Sequence, residues 1–116
     1  MFQKIRLLFV CNLNLNRSPT AAALFANSPY YEARSAGIYA RGGKEGNTAV
    51  TQGLINWADK IFVMEETQLD FLKEHFAIEG KHVLMLDVPD YYQTSVVKEY
   101  EKLTQVLKEK LADYLK

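Results

Sequence analysis

A cysteine and an arginine stand five residues apart in Cys11-Asn12-Leu13-Asn14-Leu15-Asn16-Arg17-Ser18. This stretch lies between an apolar run and a helix-forming one, and those residue types at that spacing form an oxyanion cradle. Consecutive backbone N–H groups of a tight loop and the positive end of the following helix dipole converge on one point, where a dianion such as phosphate is held. Arg17 adds a planar fork that binds two phosphate oxygens at once. The same field favours the thiolate form of Cys11, and Ser18 can donate a hydrogen bond to that sulfur. Asn12, Leu13, Asn14, Leu15 and Asn16 supply the loop itself. A thiolate beneath a cradled phosphoryl group attacks phosphorus and divides hydrolysis into formation and breakdown of a phosphocysteine.

Such a reaction needs a general acid for the leaving oxygen. Asp90, in Asp87-Val88-Pro89-Asp90-Tyr91-Tyr92, is the candidate; Asp87 is its rival, placed so close to a strand end that it can serve as a turn residue. Tyr91 and Tyr92 can flank an aromatic substrate ring, although tyrosines at such junctions also pack with the polar tip outward. Tyr39 is a weaker candidate for the opposite wall. A lone cysteine at a strand end is most often a small buried hydrophobe. Arg17 at its spacing, Ser18 and Pro19 opening a helix, and the acidic loop together argue for chemistry instead.

The elements that must position these groups follow from hydrophobic periodicity. Lys4 to Val10 ends almost continuously apolar, as does a central strand buried on both faces of a parallel sheet. Ser18 as N-cap and Pro19 at the first helical position start a helix through Ala21 to Phe25. Tyr31 to Ala36 is a second strand, leading into a long loop with Gly37, Gly42, Gly43 and Gly46. Behind the cap candidates Asn47 and Thr48, Val50, Leu54, Trp57 and Ala58 recur at helical spacing. Lys60 to Met64 is a third strand, Leu69, Leu72 and Phe76 a helical stripe, and Lys81 to Leu86 a fourth strand. A last helix starts near Thr94 or Ser95, with Val96, Tyr100, Leu103, Leu107, Leu111 and Tyr114 on one face. Strands alternating with helices predict a three-layer α/β/α sandwich around a four-stranded parallel sheet, with the phosphate-binding loop after the first strand. Ligands in such sheets sit beyond the carboxyl ends of the strands, where the loops after Val10 and Leu86 both open.

The 116 residues fit a single domain spanning 1–116, and 48% hydrophobic with 24% charged residues is ordinary globular composition. Lysine plus arginine and aspartate plus glutamate number 14 each, with no block of like charge, so no nucleic-acid partner is expected. The apolar run Ile5 to Val10 is far too short for a membrane span and lacks a cleavage site, giving the expectation of a cytoplasmic protein without membrane attachment. One cysteine excludes an internal disulfide framework, and His75 and His82 form no ligand-spaced cluster with it, so neither a metal nor another cofactor is expected. Trp57, His75 and His82 are assigned to packing or the surface. Arg34 and Arg41 are assigned to solvent, with Arg41 able to meet a phosphorylated partner.

The sequence resembles the low-molecular-weight protein tyrosine phosphatases, whose signature of cysteine, five residues, arginine and serine after the first strand stands here as LLFVCNLNLNRSPTAA. Ser35-Ala36-Gly37 is similar to the family's second-strand ending, Ala58 to Met64 to its third strand, and Val88-Pro89-Asp90-Tyr91-Tyr92 to its acid loop. By that resemblance Cys11 is the nucleophile, Arg17 the phosphate clamp, Asn14 the brace of the loop, Ser18 the partner of the thiolate and Asp90 the general acid. The implied substrate is a phosphorylated protein or a small aryl phosphate, and the implied state a monomer or weak oligomer. The chain departs from the family pattern at Leu13, where glycine is usual, at Asn16, where a second cysteine is frequent, and at Tyr91, where proline normally follows the acid. Two other classes stay open: a phosphate or phosphopeptide binding module without turnover, and a thiol-dependent arsenate reductase, which would need an external thiol for want of further cysteines.

Overall fold

The structure, a computed structural model, describes residues 3–40 and 47–115. Arg41, Gly42, Gly43 and Gly46, to which the sequence assigned a solvated or partner-facing arginine and a glycine-rich loop, lie outside the described residues. Four parallel strands form one sheet: β1 (Ile5–Cys11), β2 (Tyr31–Gly37), β3 (Lys60–Val63) and β4 (His82–Met85), in the spatial order β2-β1-β3-β4. β1 is thus interior, as its apolar run demands, and its register sets Cys11 beside Gly37 and Val10 beside Val63.

Alternation along β1 sorts the core into two halves. Leu7, Phe9 and Cys11 face a cluster with Ala21 and Phe25 on one side and Leu103, Leu107 and Leu111 on the other. Those residues come from α1 (Arg17–Ala23) with the turn after it, and from α4 (Val97–Lys110) with its C-cap. Leu8 and Val10 point the opposite way, toward Ile55 of α2 (Gln52–Trp57) and Leu72 of α3 (Glu66–His75). Helices therefore cover both faces of the sheet, and the three-layer expectation holds. Burying this surface is the main force fixing β1 in place.

Several local expectations need correction. Ser18 does not cap α1: the helix begins at Arg17 with Asn16 in the cap position, and Ser18 is fully buried inside the first turn. Its hydroxyl is engaged by Asn14 and lies beside Cys11, so it does not serve the helix end. α1 is also shorter than the alanine run suggests, closing at Ala23, with Phe25 in the following turn. α2 is capped by Thr51, whose hydroxyl accepts from Leu54 N at 3.1 Å, and not by Asn47 or Thr48; Val50 precedes the helix and Ala58 is its C-cap. Phe76 is the C-cap of α3. Thr94 and Ser95 lie in the turn before α4, which starts at Val97, and Tyr114 belongs to a 3-10 turn after it (Ala112–Tyr114). Val96 and Tyr100 are exposed, so the buried stripe of α4 reduces to Leu103, Leu107 and, at the cap, Leu111.

Candidate active site

Residues 12–16 leave the carboxyl end of β1 as a bent loop and re-enter order at α1. The bend turns on Asn14, whose φ of 58° lies in the left-handed region that asparagine tolerates best among residues with a side chain. Its amide nitrogen donates to the hydroxyls of Ser18 and Ser35, each at 2.9 Å, and its oxygen accepts from Thr48 N at 2.8 Å. Asn14 is buried, and three partners from three parts of the chain satisfy it. The loop lies directly on β2: a Cβ on Gly37 would stand 2.7 Å from Asn12 O and from Asn14 N. Only glycine permits that approach.

Cys11 Sγ lies 3.0 Å from Ser18 Oγ, which also stands 3.3 Å from the carbonyl of Ala36. The single hydroxyl proton of Ser18 serves one of these acceptors at a time, and an anionic sulfur is the stronger of the two. Arg17 is the largest fully buried side chain among the described residues. Its Nη1 donates to Val88 O at 2.7 Å and is paired with Glu65 Oε1, and its Nε lies 3.7 Å from Asp90 Oδ1. Nη2 has no hydrogen-bond partner among the described residues. One edge of the guanidinium is therefore fastened by protein, and the other keeps a buried, unused donor. A small pocket lined by Cys11, Asn12, Leu13, Leu15, Asn16, Arg17 and Asp90 brings sulfur, fork and acid to one point.

Of the residues singled out from the sequence, Asn14 and Ser18 thus lie in the loop's support and not in the pocket lining. Tyr91 is strongly exposed, whereas Tyr92 packs against the core cluster shared with α1 and α4. Asp87, at φ 59°, is exposed and lies outside the pocket lining. Tyr39 stands edge-on to Phe71 and is mostly exposed. Arg34 is half-exposed and stacks over Trp57 at 4.2 Å, while His75 packs on Phe71.

Sequence reasoning missed two residues, Glu65 and Gln68. They form the capping box of α3, in which each side chain reaches the other's backbone. Gln68 Oε1 accepts from Met64 N and Glu65 N, while its Nε2 donates to Asn12 Oδ1 at 2.8 Å, so the helix cap also holds the loop. The Glu-x-x-Gln spacing before an apolar stripe marks a helix start, but nothing in it announces a contact 48 residues upstream. Among the described residues no group of histidine, cysteine, aspartate and glutamate could hold a metal ion, and no helix is long and apolar enough to cross a membrane.

No protein-family model matches the chain. Over 91 residues, 61% of the chain, it is 33% identical to a protein-arginine-phosphatase of Geobacillus stearothermophilus, and the match spans 62% of that protein. The structure of an arginine phosphatase from the same organism superposes with a TM-score of 0.74 at 25% identity, covering 96% of this chain and 92% of that one. The tyrosine phosphatase Wzb of Escherichia coli K30, solved with phosphate, gives a TM-score of 0.79 at 20% identity over 97% of both chains. A low-molecular-weight protein tyrosine phosphatase of T. tengcongensis gives 0.76 at 23% identity, over 97% of this chain and all of the other. Fold and site together define a class, the α/β domains that seat a cysteine and an arginine on one loop after the first strand. Within that class, the chain is similar in fold to the arginine and tyrosine phosphatases named above, a low-molecular-weight protein tyrosine phosphatase among them.

Proposed function

We propose that the chain is a cysteine-dependent phosphomonoester hydrolase, acting on phosphotyrosine in proteins or on small aryl phosphates. One observation carries the reading: a fully buried arginine with an unpartnered Nη2 lines the same pocket as the only cysteine and an acidic residue. A buried donor without a partner is costly, and a phosphoryl oxygen is the partner its charge and geometry suit. The loop residues 12–16 complete the cradle.

In the first step the thiolate of Cys11 attacks phosphorus, forming an S–P bond as the bond to the leaving oxygen breaks. Asp90 gives that oxygen its proton. In the second step water attacks the phosphocysteine, Asp90 takes the water's proton, and the thiolate departs with phosphate released. Arg17 holds the equatorial oxygens throughout, and the Ser18 hydroxyl steadies the sulfur anion. No metal or other cofactor enters this sequence. Exposed Leu13 and Leu15 line the pocket with apolar surface, which favours an aryl leaving group. The arginine phosphatase relative supplies the competing substrate, phosphoarginine. An arsenate reductase would lack relay cysteines here, since Cys11 stands alone.

The test is hydrolysis of nitrophenyl phosphate and of phosphoarginine by the purified protein, beside Cys11→Ser. We expect turnover of the aryl ester, competitive inhibition by phosphate, and no measurable turnover in the variant. Phosphate binding without turnover would leave a binding module instead, and preference for phosphoarginine would replace the aryl substrate.

A further inference from the structure

Asp90 projects from the segment between β4 and α4, which is held to the rest of the molecule on both sides of it. On the upstream side Val88 N donates to Met64 O at 2.9 Å and Val88 O accepts from Arg17. On the downstream side the fastening is made by the phosphate loop itself. Asn16 Oδ1 accepts two hydrogen bonds from Thr94, from the backbone N–H at 3.1 Å and from the hydroxyl at 2.9 Å. Tyr92 adds apolar packing between the two anchors. Asn16 and Asp90 line the same pocket, with Thr94 half-buried behind them.

We infer that the Asn16–Thr94 pair is a latch that sets the acid over the cradle, making Asn16 and Thr94 positioning residues for Asp90. The inference rests on the hydrolase reading above. Asparagine suits the place because one uncharged amide oxygen can accept both donors of Thr94 beside the pocket, without the negative charge that a carboxylate would bring near a phosphate dianion. Arg17 reaches Asp90 at 3.7 Å and cannot fix it alone, since a longer ion pair with a half-exposed carboxyl is weak and unspecific in direction. Two directed hydrogen bonds constrain the segment far more.

A latch for the acid has a kinetic signature that a merely structural contact lacks. Its loss should slow substrates in proportion to how much their leaving oxygen needs a proton. Thr94→Val removes the hydroxyl bond from outside the cradle, and Thr94→Ser keeps it. With a series of aryl phosphates from dinitrophenyl to phenyl, kcat/KM of Thr94→Val should fall about tenfold for phenyl phosphate and less than about twofold for the dinitrophenyl ester. Thr94→Ser should follow the wild-type line, and vanadate affinity should be unchanged in both. Asp90→Asn sets the upper limit of the slope. An equal loss for every leaving group, a loss of vanadate affinity, or an unchanged profile would each overturn the latch while leaving the hydrolase reading intact. A wild-type protein that hydrolyses none of the esters would overturn both.

Discussion

The two ends of the sheet each carry an arginine against an acidic residue, and they put the pair to opposite uses. At the amino end of the strands Arg6 meets Asp59 at 3.5 Å, with both side chains near half-exposed, 44% and 46%. At the carboxyl end Arg17, 1% exposed, is fastened by Glu65 and Val88 and faces Asp90. The exposed pair is screened by water and contributes little to stability. The buried arginine has lost its hydration, so every donor it carries must find a partner. On the proposed reading, burial, and not the presence of an ion pair, is what fits Arg17 to bind an anion. The surrounding groups show the same contrast: Arg34 and Arg6 both lie over the ring of half-buried Trp57, whereas Arg17 is fully buried.

The largest effect expected from this contrast is on turnover. Arg17→Lys keeps the charge but loses the planar fork, and should lower kcat/KM by roughly 10²- to 10³-fold, the scale of losing one preorganised donor. Arg6→Lys should stay within about twofold of wild type, because that end of the sheet takes no part in chemistry. Steady-state kinetics on nitrophenyl phosphate decide both, and similar losses in the two variants would break the comparison.

Glu65→Ala comes next. It strands a buried guanidinium nitrogen with only the Val88 carbonyl, and should destabilise the fold by about 1–3 kcal/mol in denaturant titrations, tempered because Glu65 itself is partly exposed. Added phosphate should recover part of that loss by engaging the loosened arginine. A variant as stable as wild type would remove Glu65 from the support of Arg17.

The smallest effect belongs to Asp59. The backbone N–H of Arg6, donating at 2.8 Å, holds its carboxyl below the usual carboxylate range, with smaller help from the Arg6 guanidinium and Lys81 and with desolvation opposing. A carboxyl whose pKa is lower in the folded state contributes stability that is present above the unfolded value, near about 3.9, and is lost as pH falls through the folded one. The stability gap between wild type and Asp59→Asn should therefore be level from about pH 7 to 5 and shrink on further acidification. A gap independent of pH down to acid unfolding would contradict the assignment.

What could be read in the sequence was whatever a continuous stretch of chain encodes. Lys4 to Val10 and Lys60 to Met64 announced buried strands because both faces of the sheet are covered, and the Cys11-to-Arg17 spacing lay in one loop. The helix starts were less legible. Ser18 and Pro19 look like a cap from the residues alone, yet the Ser18 hydroxyl goes to sulfur and to Asn14, a choice made by tertiary packing. Thr48 looks like a cap as well, but its backbone N–H goes to Asn14 while Thr51 caps α2. Glu65 and Gln68 were hidden for a related reason. Their partners lie 48 and 56 residues away, and a glutamate on a helix start is ordinarily a solvated charge.

Gly37 has a consequence for the order in which the molecule assembles. The loop after β1 rests backbone to backbone on that residue, which also donates to Thr48 O, and Thr48 in turn donates back to Asn14. The shape of this loop is therefore not stored in residues 12–16. It is cast against the end of β2, and a chain in which β1 and β2 have not yet paired has no template for it. Local helix formation at α1 is a submicrosecond event, but closing parallel strands across the intervening chain is slow. In a refolding experiment, recovery of secondary structure should run ahead of recovery of anion affinity.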